Sequence, residues 1–192
     1  FAKGQGQLSE RQSLCRARAI FGRPPAMDEV MRGVHQCIAA VTWQASDAVA
    51  IRDRRLRLEE GATDRNMKRG PGGTMDIEFL VQTLQLQHVR EQPDGLVPST
   101  LEALDRLTAR GYLDPSTSTQ LADAYRFLRG IEARLRLMNT TARHDLPDDQ
   151  RQLQKLAYLL RLESAESLTQ QCFDMMRSTR ALFLRCMTAA AR

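Results

Sequence analysis

What this chain has little of narrows its function before any motif does. It holds only four cysteines and three histidines in 192 residues, and neither set clusters. Cys15, Cys37, Cys172 and Cys186 form no CxxC pair, so they read as small buried hydrophobes in a reducing, cytoplasmic setting. His35, His88 and His144 show no metal-ligand spacing, and no metal site is expected. Aromatics make up 5% of the chain. Nucleic-acid binders usually combine dense basic clusters with rings that stack on bases, so the net charge of +5 does not point to nucleic acid. No apolar run approaches the ~20 residues of a membrane helix, and no membrane partner is expected. Residue 1 is Phe and nothing near it resembles a signal peptide, so the chain reads as an excised piece of a longer protein.

What remains is an ordinary globular composition, 42% hydrophobic and 27% charged, large enough for one domain or one plus a small subdomain. Strand alternation is almost absent and helical periodicity dominates. LSERQSLCRARAI (Leu8 to Ile20) is compatible with a helix stopped by Gly22 and Pro24-Pro25. A second helical stretch runs from Met27 to about Leu58, with Val30, Met31, Val34, Ile38 and Val41 on one face. It closes in IRDRRLRLEE, which reads as a solvated face, so Arg55→Ala is expected to be nearly silent. EEGATDRNMKRGPGG is a polar, Gly-rich loop, followed by a helix from about Asp76 to Arg90. QPDGLVP and RHDLPDD are breaks. Ser99 with Glu102, Asp114 with Pro115, and Ser164 are helix-start signals. The last helix carries the stripe Leu168, Cys172, Met175, Thr179, Leu182 and Cys186. The fold class is all-α, a bundle of six or seven amphipathic helices. Residues 1–67 form N-terminal helices and 68–192 a bundle domain opened by the Gly-rich segment.

That segment, KRGPGGTMDIEF (Lys68 to Phe79), departs most from the needs of a bundle. It is not a Walker A loop, because the lysine precedes the glycines. It is not G-x-G-x-x-G, because Met75 holds the third glycine's place and no strand leads in. Consecutive glycines permit positive φ, so backbone N–H groups could converge on an anion, with Lys68 or Arg69 adding charge beside a helix N-terminus. The alternative is a turn leading to a helix capped by Asp76. Asp76 and Glu78, two apart on a helix, point to different faces and do not make a shared metal site. Arg126, Arg129, Arg134 and Arg136 lie on the polar side of their helix. They read either as ion pairs around Glu132 or as a basic groove for an acidic partner. His144 beside Asp145 suggests a catalytic dyad, but no nucleophile accompanies it.

KRGPGGTMDIEFLVQTLQLQHVR resembles the glutamine synthetase adenylyltransferases, which attach AMP to glutamine synthetase and remove it. The pattern is Lys68, Gly70, Gly72, Gly73, Asp76, Ile77, Glu78, Phe79, Val81 and Gln82; a shorter version resembles the related PII uridylyltransferases, and the Glu78-Phe79 continuation favours the adenylyltransferases. ERQSLCRARAIFG, AYRFLRGIEARLRL and HDLP extend the resemblance over nearly the whole chain. One departure is Ser9, where the family usually has tryptophan ahead of Glu-Arg-Gln.

The resemblance implies ATP and Mg²⁺ as cofactors of the intact enzyme, glutamine synthetase as protein substrate, and the PII protein and glutamine as regulators. It also implies a metal-binding Gly-Ser turn followed by an Asp-x-Asp pair on a strand, which this chain does not contain. The chain therefore reads as the helical region following the catalytic core, with no catalytic residue of its own, and residues 1–67 leave room for a remnant of that core's edge. Lys68, Gly70, Gly72 and Gly73 would face nucleotide, while Asp76, Glu78, Phe79 and Gln82 complete the motif. Thr74-Met75 looks more like the AMP-adding half than the AMP-removing one. The alternative is a stand-alone helical interaction module whose glycine loop is mere linkage.

Overall fold

A computed structural model of the chain describes residues 7–91, 96–138 and 144–192. Among these residues there are eight α-helices and no strand: α1 Leu8–Leu14, α2 Pro24–Ala39, α3 Ala45–Glu59, α4 Thr74–His88, α5 Thr100–Ala109, α6 Pro115–Met138, α7 Gln150–Leu160 and α8 Ala165–Ala190. The all-α class is as the periodicity predicts, but the helices number eight rather than six or seven. Residues 92–95 of the QPDGLVP break, and residue 143 that opens RHDLPDD, lie outside the described residues.

The additional helix comes from the stretch read as one helix from Met27 to Leu58, which is broken between Ala39 and Ala45. Arg90 makes the break: its side chain donates to the Ala39 carbonyl (2.9 Å) and to the Thr42 hydroxyl (2.8 Å), satisfying the end of α2. Gln44 donates its N–H to the Asp47 carboxylate (3.1 Å), starting α3 without a residue of the usual N-cap type. The first helix also ends early, at Leu14 rather than Ile20, winding down through three-residue turns to Arg16 and Ala17.

Other boundaries follow local chemistry. Ser99 accepts from the Glu102 N–H (3.4 Å), Asp114 from Thr117 (2.9 Å), Asp149 from Gln152 (2.9 Å) and Ser164 from Ser167 (3.0 Å). Each side chain satisfies an N–H that a helix start leaves without a partner.

The chain divides into two compact units. One takes the described residues within Phe1–Asp53, Phe79–Ser118 and Cys186–Arg192. Its buried residues include Ile38, Ile51, Leu80, Leu84, Leu104 and Leu107. From Ile77 to Leu86 helix α4 is buried almost all round, Glu78 being half-buried, rather than on one stripe. The polar residues this encloses are satisfied: Gln85 bonds both backbone groups of Val97 (3.0 and 3.4 Å), and Thr83 donates to the Phe79 carbonyl (2.8 Å).

The second unit takes Arg54–Glu78 and the described residues within Thr119–Arg185. Its core joins Met67, Leu128, Ile131, Leu135, Leu146 and Leu153 with Leu156, Leu168, Cys172 and Met176. Burial pushes the Cys172 thiol up to about 12, as it does Cys15 in the first unit, so both are inert fillers. Along α8 the buried stripe uses Met176, Phe183 and Met187, whereas Met175 and Cys186 are half-exposed. Leu168, Cys172, Thr179 and Leu182 of the stripe read from sequence are buried as expected, and only at Met175 and Cys186 does the buried position fall one residue later, because a 26-residue helix does not keep one fixed spacing.

The core makes a direct prediction. Leu156→Ala, at a fully buried site, is expected to lower unfolding free energy by about 2–5 kcal/mol in a urea titration. Tyr158→Ala, two residues on but 81% exposed, is expected to stay within about 0.5 kcal/mol. Equal losses would show that α7 is packed on its other face.

Candidate functional site, the Gly-rich turn and the charge ring beneath it

The turn ahead of α4 is organised by Asn66. Its side-chain oxygen accepts the N–H of Lys68 (3.2 Å) and Arg69 (2.7 Å), and its carbonyl accepts that of Gly70 (2.9 Å). Gly73 donates to Gly70, Thr74 to Met67, Met75 to Lys68 and Asp76 to Gly73, at 2.8–3.1 Å. Gly72 donates to the Asp76 carboxylate (2.8 Å). Pro71 has no N–H. Every backbone donor from Lys68 to Asp76 is therefore committed internally, and the turn is not the open anion-binding nest that its glycines allowed.

The glycines instead let the chain approach itself. Gly72 has φ +77°, and a Cβ there would overlap the Met176 carbonyl of α8. Added Cβ atoms at Gly70 and Gly73 would lie 2.5 and 2.7 Å from carbonyl oxygens of the turn.

Below the turn lies the feature the sequence concealed. Arg55 is fully buried, and its Nη2 donates to the carbonyls of Arg69 (3.0 Å) and Gly70 (2.9 Å). Its Nε lies 2.6 Å from Asp76 Oδ1, a close ion pair in which the N–H is not aimed along the contact. Its Nη1 lies 3.2 Å from Glu59. Arg180 of α8 pairs with the same two carboxylates, Asp76 at 3.2 Å and Glu59 at 2.7 Å. Arg55, Asp76, Arg180 and Glu59 thus form a closed ring of alternating charge. The guanidinium of Arg180 also sits 5.6 Å from the Phe183 ring centroid.

The expectation that IRDRRLRLEE is a solvated face is therefore wrong at Arg55, and with it the expectation that Arg55→Ala is silent. The i,i+4 spacing of Arg55 and Glu59 looks like an ordinary surface pair, and only Asp76, brought in by another helix, explains the burial. Burial pushes the Asp76 carboxyl up, against the pull of Arg55, Arg180 and the Gly72 N–H. Burial pushes the Arg55 guanidinium down, against Asp76 and Glu59. Each charge is tolerable only because the others are present.

The remaining motif residues separate. Glu78 accepts from the Tyr125 hydroxyl (3.0 Å). Phe79 is buried core, and buried Gln82 accepts from Gln12 Nε2 (2.8 Å), tying the Glu10-Arg11-Gln12 segment to the motif. The two turn cations also part company. Arg69 donates to the Leu58 (3.0 Å) and Glu60 (3.5 Å) carbonyls, closing the end of α3. Half-buried Lys68 has no side-chain hydrogen bond or ion pair among the described residues.

His144 and Asp145 form no dyad. His144 Nδ1 lies 2.9 Å from buried Glu132, which also accepts from Arg129 (2.6 Å), whereas Asp145 accepts from Asn66 (3.1 Å) and Thr63 (3.3 Å). The HDLP segment runs antiparallel to the approach to the turn: Met67 donates to the His144 carbonyl and Leu146 to that of Arg65. Among the described residues no group of three or more His, Cys, Asp or Glu is placed to hold a metal ion. Sequence reasoning missed Arg55, Glu59, Asn66 and Arg180. Asn66 alone carried a signal, being a turn-forming residue just ahead of the glycines.

Residues 46–187, which contain the turn and all four members of the ring, match the protein-family model described as GlnD PII-uridylyltransferase. The chain belongs to the GlnD PII-uridylyltransferase family. Curated relatives carry this region in a larger protein. The bifunctional glutamine synthetase adenylyltransferase/adenylyl-removing enzyme of Streptomyces coelicolor is 36% identical over 163 residues, covering 81% of this chain and 16% of its own length. The enzymes so named from Cutibacterium acnes and Agrobacterium fabrum are 34% and 29% identical over 83% and 92% of this chain, and 17% and 19% of their own lengths. The chain thus spans less than a fifth of these relatives and is homologous to one region of the adenylyltransferases.

The ring makes the turn of this chain dependent on a remote arginine. Arg55→Ala is expected to cost about 3–5 kcal/mol in chemical denaturation, the cost of leaving a buried charge without its partner. Arg55→Met combined with Asp76→Leu should recover much of that loss, because the unpaired carboxylate is removed with the cation. A silent Arg55→Ala would mean that the ring is not closed in solution.

Proposed function

We propose that this chain is a non-catalytic helical domain of a glutamine synthetase adenylyltransferase. In the intact protein, its Gly-rich turn would present Lys68 to the phosphates of ATP bound by a nucleotidyltransferase core. One observation carries the reading: Lys68 is the turn's unpaired cation, while its neighbours Arg69, Asn66 and Asp76 are all engaged within the chain. The charge ring beneath is neutral in sum, so it holds the turn without masking Lys68. A fixed backbone carrying one uncommitted ammonium suits a phosphate contact, because little rearrangement is needed when the anion arrives.

Asp76 and Glu78 do not suit Mg²⁺. Both Asp76 oxygens face guanidinium groups and the Gly72 N–H, and Glu78 is held by Tyr125. Any magnesium chemistry of the intact enzyme belongs to residues outside this chain. Gly72 serves the contact indirectly by letting the turn close against α8, and Gly70 and Gly73 by letting it close on itself. On this reading glutamine synthetase is the protein substrate, the PII protein and glutamine are the regulators, and the setting is cytoplasmic. The bundle domain opens at residue 68, and Thr74-Met75 favours the AMP-adding half.

Lys68→Ala in the intact enzyme should weaken transition-state stabilisation by about 1.5–3 kcal/mol, the range for a charged hydrogen bond. That is roughly a ten- to hundredfold loss of adenylyl transfer, with thermal melting unchanged. Unchanged kinetics would reduce the turn to linkage and favour a stand-alone interaction module. The chain alone, incubated with labelled ATP, Mg²⁺ and glutamine synthetase, should transfer no label. Incorporation abolished by EDTA would show that it carries catalytic residues of its own.

A further inference from the structure

The second unit carries an apolar groove of about 440 Å³ lined by Met138, Gln154, Lys155, Tyr158 and Leu159, between the end of α6 and the outer side of α7. Its apolar character is not incidental exposure of one residue. Tyr158 is 81% exposed, Leu159 41%, and Leu137, next to Met138 on α6, 82%. Arg151, Gln154, Lys155, Tyr158 and Leu159 recur at helical spacing, so α7 presents a second stripe opposite the one it buries through Leu153, Leu156 and Ala157.

The two helix segments that border this groove carry charges of one sign. Neither α7 nor the last turns of α6, from Ala133 to Met138, contains an acidic residue. They contribute Arg134, Arg136, Arg151 and Lys155, and Arg161 follows at the end of α7. Other exposed arginines of this unit have carboxylate partners close along their own helix, Arg126 with Asp123 and Arg177 with Asp174. Arg136, Arg151, Lys155 and Arg161 have no side-chain partner among the described residues. Arg161 moreover occupies the left-handed position after α7, with φ 58°, which glycine ordinarily takes.

An apolar floor beside unneutralised cations is complementary to one kind of surface. We infer that this groove receives an acidic amphipathic helix of a protein partner, its apolar face on Tyr158, Leu159 and Met138 and its carboxylates beside Lys155 and Arg151 of α7. A helix laid along α7 matches the spacing of the stripe, as ridges fit grooves between packed helices. Nucleic acid is a poorer match, because Tyr158 is the only ring among the described residues that line the groove and bases need successive rings to stack on. The inference does not depend on nucleotide chemistry elsewhere in the protein.

The test titrates the ¹⁵N-labelled chain with a synthetic helical peptide bearing a leucine stripe flanked by glutamates, and with its lysine-for-glutamate twin. The acidic peptide should shift the amide signals of Met138, Lys155, Tyr158 and Leu159. Its affinity should fall about tenfold or more between low and high salt, and again with Arg151→Glu/Lys155→Glu. Tyr158→Ala should weaken it without altering the melt, since the side chain is exposed. The inference is overturned if neither peptide binds, if both bind equally, or if the shifts map elsewhere. Preferential binding of phosphatidylglycerol vesicles, or burial of the groove in a dimer of the chain, would overturn it equally.

Discussion

The closed ring of Arg55, Asp76, Arg180 and Glu59 is the constraint on which the Gly-rich turn depends. Removing a carboxylate and a guanidinium from water costs several kcal/mol per ion, and no single contact returns that. Two cations and two anions in alternation do, because each charge faces opposite charges on both sides. Arg55 then spends its remaining donors on the carbonyls of Arg69 and Gly70, fixing the turn from beneath. The ring brings together the end of α3, the start of α4 and the middle of α8. An arginine far along the chain thereby decides where a loop sits.

The turn itself shows how glycine can serve closeness rather than mobility. Its backbone donors are all satisfied, the carbonyls of Lys68, Arg69, Gly70 and Gly73 are held, and Gly72 touches the backbone of α8. Such a segment loses conformational entropy once, on folding, and has little left to lose when a ligand arrives. Asn66 and the HDLP segment brace it from the other side, which gives His144 and Asp145 a structural task in place of a catalytic one. Against this background an uncommitted Lys68 stands out as a matter of chemistry rather than of motif matching.

The cations of the second unit fall into two populations. One is paired: Arg55 and Arg180 within the ring, Arg129 on Glu132, and Arg65 on Asp148 and the Leu146 carbonyl. The other has no carboxylate partner among the described residues, Lys68 in the turn, Arg57 on α3, and Arg151, Lys155 and Arg161 on and just after α7. A modest overall excess of +5 conceals this division, since a net charge says nothing about which charges are already answered.

The sequence by itself determined the helices whose signals are local. Ser99, Asp114 and Ser164 start helices because their side chains reach an N–H three residues on, and the stripe of α6 buries Leu121, Leu128, Ile131 and Leu135 because the helical period fixes its face. It also determined the family, through a motif whose residues are contiguous. Tertiary structure alone decided the break after Ala39, which needs Arg90, and the burial of Arg55, which needs Asp76 and Arg180. It alone separated Lys68 from Arg69, adjacent and chemically alike, by giving one of them the open carbonyls at the end of α3. The physical reason is the same in each case. Caps and periodicity act within a turn or two of helix, whereas the cost of burying a charge is met by whichever partner the fold brings near, at a separation the sequence does not encode.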